Sequence, residues 1–78
     1  MSNKEKYDQA FIEAFSVSAE QLPELKYQSI AEWDSVGHMG LIAELEDAFD
    51  IMMETEDIID FASYVVGMDI LKKYEITI

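Results

Sequence analysis

The chain has 78 residues, half of them hydrophobic, with no cysteine and 17 acidic side chains against five basic ones, a formal net charge of −12. Such a length allows one domain, residues 1–78, with a core but little room for a deep catalytic cleft. The missing cysteines exclude a disulfide framework and a thiolate metal site.

The charge is also unevenly spread. Between Tyr27 and Leu71 there is no Lys or Arg, whereas eleven Asp and Glu fall there. A field of that sign repels nucleic acid and anionic membranes and attracts basic protein surfaces. No apolar run reaches the roughly 20 residues needed to span a bilayer. The N-terminal "MSNKEKYDQAF" lacks the apolar stretch of a signal peptide, so a cytoplasmic protein without membrane insertion is expected.

In chain order, Ser2 and Glu5 have capping-box spacing, and Tyr7, Phe11, Ala14 and Phe15 recur on one side of a helix over residues 3–15. Residues 16–34 carry the only proline, Pro23. So long a connection in a small domain calls for its own anchors or a short turn, and Val17, Leu22, Leu25, Ile30 and Trp33 can provide them. A second helix is expected over 35–50, with Leu41, Ile42, Leu45, Ala48 and Phe49 in one stripe. A short third helix fits 55–60, where Glu56 and Asp57 suit the positive end of its dipole. Ser63 can cap a last helix over 64–74, packed through Val65, Met68, Ile70 and Leu71, with Lys72 and Lys73 in its closing turn. Gly67 inside that helix implies a close contact, because glycine there costs about 1 kcal/mol relative to alanine. Only the tail "EITI" has any strand character. The expected fold is an all-α, small antiparallel four-helix bundle of three longer helices and a short third one, with a long first loop. Phe11, Leu41, Leu45, Phe49, Ile58 and Leu71 are expected to be buried against one another.

The one chemical constellation is "DSVGH", with Asp34, Ser35 and His38 at the start of the second helix. A catalytic triad needs the imidazole between hydroxyl and carboxylate, but here the carboxylate is the serine's chain neighbour. No glycine-flanked elbow or oxyanion hole is evident, so the chain is not expected to be an enzyme. His38 reads as a half-buried helix residue beside the loop. One histidine and no cysteine leave only carboxylates for a metal, without the ligand spacing and central glycine of a calcium loop. On its own, Ser35 reads as a helix N-cap worth about 1 kcal/mol.

"WDSVGHMGLIAELEDAF", preceded by a long loop and an amphipathic helix, resembles the attachment site and second helix of the acyl carrier protein family. Asp34-Ser35 matches the family's Asp-Ser pair. "ELEDAF" is similar to its acidic helix end, "ETEDIIDFASY" to its third helix and the entry to the fourth, and "ILKKY" to its terminal turn. The likeness covers nearly the whole chain. It implies that a phosphopantetheinyl transferase attaches 4′-phosphopantetheine to Ser35, and that the new thiol holds acyl or aminoacyl groups as thioesters for loading ligases and acyl-transfer enzymes. The chain departs from fatty-acid carriers at Val36, Gly37 and Gly40. The tryptophan of "EWDS" is similar to stand-alone carriers of specialised pathways, D-alanyl or polysaccharide-associated, and fatty-acid or polyketide synthesis is the other setting.

For such a monomeric carrier the expected partner surface has Val36, Met39 and Ala43 on one helix face beside Ser35, extended by Glu46 and Asp47 and flanked by Glu56 and Asp57. The competing expectation is a small acidic adaptor or inhibitor that binds a basic protein without modification.

Overall fold

The computed structural model describes residues 2–78. Its helices are α1 (Asn3–Phe15), a 3-10 segment (Ala19–Glu24), α2 (Ser35–Phe49), α3 (Thr55–Asp60) and α4 (Tyr64–Lys72). No strand forms among the described residues; the tail adds none, and the one β-type pairing is an isolated antiparallel bridge between Lys26 and Ser63.

Local signals explain most of the boundaries. The Ser2 hydroxyl accepts from Glu5 N (3.1 Å) while the Glu5 carboxylate accepts from Ser2 N (3.2 Å), which closes the box that starts α1. Ser16 and Asp50 stop α1 and α2 in the left-handed conformation, at φ 56° and 52°. The Ser63 hydroxyl accepts from Val66 N (3.0 Å) at the start of α4. That helix ends at Lys72, earlier than residue 74: Tyr74 N bonds the Leu71 carbonyl and Ile76 N the same oxygen, turning the chain so that Ile76 is buried.

The long loop is held as its apolar residues suggest. Leu22 and Leu25 enter the core from the 3-10 segment and the residue after it, and Trp33 is fully buried. Two backbone bonds fasten the loop to the α3–α4 junction, Tyr27 N to the Ala62 carbonyl (2.9 Å) and Tyr64 N to the Leu25 carbonyl (3.0 Å). The middle of the loop is therefore fixed against the entry to α4.

The core is more aromatic than the helix stripes imply. Phe11 packs its ring against Tyr7, Phe15, Trp33, Phe61 and Tyr64, with centroids 5.0 to 6.2 Å apart. Leu41, Ile42, Leu45 and Leu71 complete it. Phe49 and Ile58, expected at its centre, are only half-buried. Phe49 is the last residue of α2 and covers the core's edge, with Lys6 Nζ 5.8 Å from its ring centre. Val65 is 57% exposed, whereas Tyr64, Ile70 and Leu71 of the same helix face the core. Gly67 has the expected close contact: a Cβ there would overlap the Phe61 ring and the Tyr7 hydroxyl.

Candidate functional site

Asp34 and Ser35 divide the work at the start of α2. The Asp34 carboxylate accepts from Gly37 N at 2.8 Å, and its carbonyl accepts from His38 N at 2.8 Å. Asp34 is thus the N-cap, and Ser35, read from sequence as the cap, is the first residue of the helix proper. Both are exposed. The swap follows from geometry: only the residue with extended backbone (φ −99°, ψ −170°) can turn its side chain back onto the first turn. The amides of Ser35 and Val36 have no carbonyl one turn back to bond, so they leave positive potential around the Ser35 hydroxyl.

Gly37 has a specific reason. A Cβ at this position would overlap the Glu32 carbonyl oxygen, so the chain entering α2 passes too close for any other residue. Gly40 faces open space.

His38 is half-buried and bonded on both sides. The Trp33 indole, which can only donate, gives its N–H to His38 Nδ1 at 2.9 Å. The proton must therefore reside on Nε2, which donates to the Ile58 carbonyl at 2.7 Å. Neither nitrogen is directed to Ser35 or Asp34, so these three residues do not form a triad.

Beside Ser35 lies an open apolar groove of about 400 Å³ between α2, α3 and the loop, lined by Ser35, Met39, Tyr27, Ile58, Ile59 and Ala62 among others. Val36 (80% exposed), Met39 (54%) and Ala43 form the apolar face expected next to the serine. Ile59 (73%) extends it from α3 and was missed by the reading of the sequence. No signal in so short a helix separates Ile59 from its half-buried neighbour Ile58.

The acidic residues separate into surface and structure. Asp47 and Glu56 are exposed as expected. Glu46 is half-buried, and its carboxylate accepts from Met53 N at 2.9 Å, anchoring the α2–α3 connection. Asp57 is not on the partner surface. It is 4% exposed, accepting from Lys73 Nζ and from the Tyr74 hydroxyl, each at 2.5 Å. The Lys73 ammonium, with the Tyr74 hydroxyl, holds the Asp57 carboxyl below the usual carboxylate range, and the same contact raises Lys73. Tyr74 also accepts from Glu54 N (2.9 Å), capping α3, which lacks a side-chain cap of its own.

Among the described residues no three His, Asp or Glu side chains converge as a metal site requires, and no helix is long and apolar enough to cross a membrane. No family model, curated protein or solved structure matches the chain.

Proposed function

We propose that this chain is a carrier of the acyl carrier protein type, with 4′-phosphopantetheine on Ser35. The observation that carries this reading is the exposed Ser35 hydroxyl at the first position of α2, released from capping duty by Asp34. The residues present fit the group. The phosphodiester would be an anion beside the uncapped amides of Ser35 and Val36, at the positive end of a helix of 15 residues. When bound, the group supplies a thiol on a flexible arm, which holds acyl or aminoacyl cargo as a thioester.

Ser35 needs no base of its own in this reading. Its oxygen displaces the adenosine bisphosphate half of coenzyme A on the transferase, and the hydroxyl proton passes to a base of that enzyme. The engagement of both His38 nitrogens elsewhere is consistent with this. The carrier itself catalyses nothing. It works as a cytoplasmic monomer, the four α-helices forming an antiparallel bundle, and serves loading and transfer enzymes of a specialised pathway. Val36, Met39, Ala43 and Ile59 would meet those enzymes' apolar surface, and Asp47 and Glu56 their basic one.

Exposed carboxylates would serve an unmodified acidic adaptor equally well, and modification separates the two readings. After incubation with coenzyme A and a broad-specificity transferase, the intact mass should rise by one phosphopantetheine, and Ser35→Ala should stay helical and gain nothing. A modified alanine variant would place the site elsewhere, whereas an unmodified wild-type chain would favour the adaptor.

A further inference from the structure

The groove beside Ser35 runs between α2 and α3, and the His38 side chain spans its inner side. His38 reaches across from α2 to the Ile58 carbonyl of α3 with Nε2 (2.7 Å), while Nδ1 takes the indole proton of Trp33 (2.9 Å). Its ring lies nearly parallel to that of Trp33 (15° between planes), with the edge of Phe61 on one side and Tyr27 on another. Behind it, Trp33 stacks on Phe15, and Phe61, Leu41 and Leu45 are fully buried. Interiors packed in this way have no spare volume. A chain entering from Ser35 would have to displace His38, stranding the Trp33 N–H and the Ile58 carbonyl in an apolar setting, which is strongly unfavourable.

We propose that His38 and Trp33 bar the interior to cargo held on Ser35, so that this chain carries short acyl or aminoacyl groups that remain outside the helices, and not long alkyl chains. The inference rests on the carrier reading and names its cargo class. His38 is a specificity-determining residue in this scheme: it never touches the thioester and acts by closing the gap.

Acetyl and octanoyl forms of the protein can be made from the corresponding coenzyme A thioesters with a broad-specificity transferase. Trp33 is the sole tryptophan, so its emission reports the interior directly. In the wild-type protein the two forms should melt within about 1–2 °C of each other, show the same indole emission, and lose their cargo to hydroxylamine at comparable rates. In His38→Ala the octanoyl form should melt several degrees above the acetyl form, with altered emission, because a buried chain adds apolar burial to the folded state alone. A higher melting temperature and changed emission for wild-type octanoyl protein would overturn the inference while leaving the carrier reading intact. No difference between the two forms of a folded His38→Ala variant would overturn the role of His38. Should that variant not fold, the wild-type pair still decides the cargo class. Failure of both groups to reach Ser35 would overturn the inference together with the reading beneath it.

Discussion

Gly37 and the Glu32 carbonyl are in such close approach that any side chain at 37 would occupy the oxygen's place. Adding a methyl group there forces the backbone apart in the first turn of α2, beside Ser35. Gly37→Ala should cost about 1–3 kcal/mol, overpacking outweighing the gain in helix propensity. Gly40→Ala, one turn on and facing open space, should have the opposite sign. It should stabilise by about 0.5–1 kcal/mol, raising Tm by several degrees in a domain this small. Thermal melts of the two variants check both signs, and equal shifts would mean that the entry to α2 is misplaced.

Asp57 gives the fold a pH dependence. Its carboxyl is held below the usual range by Lys73 and Tyr74, so the unfolded chain binds its proton first on acidification. The network therefore contributes stability that is complete above the ordinary value of 3.8 and is lost as pH falls through the lower folded value. Asp57→Asn should melt below wild type at neutral pH, and the two should converge in acid. The difference between the proteins is the quantity to follow, since acid also relieves the self-repulsion of a strongly acidic chain. A constant difference down to the lowest pH that keeps the fold would remove the ionised carboxylate from the account.

Phe11 and Phe49 look alike as members of helical stripes and should behave differently. Phe11 is fully buried among five aromatic rings, so Phe11→Ala should cost about 3–5 kcal/mol, close to the whole stability of a small domain. Phe49, half-buried at the end of α2, should cost about 1–2 kcal/mol on the same substitution. Denaturant unfolding of each distinguishes them, and a Phe49 loss as large as that of Phe11 would mean a deeper position than its half-burial indicates.

Where the sequence was readable, the information was local. Ser2 with Glu5 and Ser63 ahead of an apolar run announce helix starts through bonds that span three residues. The choice between Asp34 and Ser35 as cap was not readable, because both types cap well and only the backbone angles at the junction decide. The need for glycine at 37 was not readable either: its clash partner, the Glu32 carbonyl, is placed by how the loop returns and not by helix periodicity. Asp57 and Lys73 are 16 residues apart, and no pattern within α3 distinguishes the carboxylate that turns inward from its neighbour Glu56, which does not. The aromatic core went unrecognised in part because Trp33 and Phe61 lie outside the helices, where periodicity gives no signal. At the candidate site, the exposed face of Val36, Met39 and Ala43 followed from helical spacing, whereas the His38 bridge to Trp33 and Ile58 depends on tertiary contact alone.

The remaining prediction concerns charge in partner encounter. Asp47 on α2 and Glu56 on α3 are exposed, whereas Glu46 holds Met53 N. Reversal of Asp47 and Glu56 to lysine should leave Tm nearly unchanged, because the dipole preference lost at the start of α3 is offset by that gained in the last turn of α2. It should slow transfer of phosphopantetheine to Ser35 by on the order of tenfold at low salt, since complementary charge acts mainly on association. Raising ionic strength should close the gap between variant and wild type, as screening shortens the reach of exposed charges to about 8 Å near physiological salt. Glu46→Lys should differ in kind: losing the bond to Met53 N should cost about 1–2 kcal/mol of stability, so any slowing of transfer would be mixed with loosening of the α2–α3 connection. Transfer rates measured across a salt series, beside melts of the same proteins, separate steering from stability. If the double reversal left the low-salt rate at its wild-type value, the acidic face would be a solvated surface only, and recognition would rest on Val36, Met39, Ala43 and Ile59.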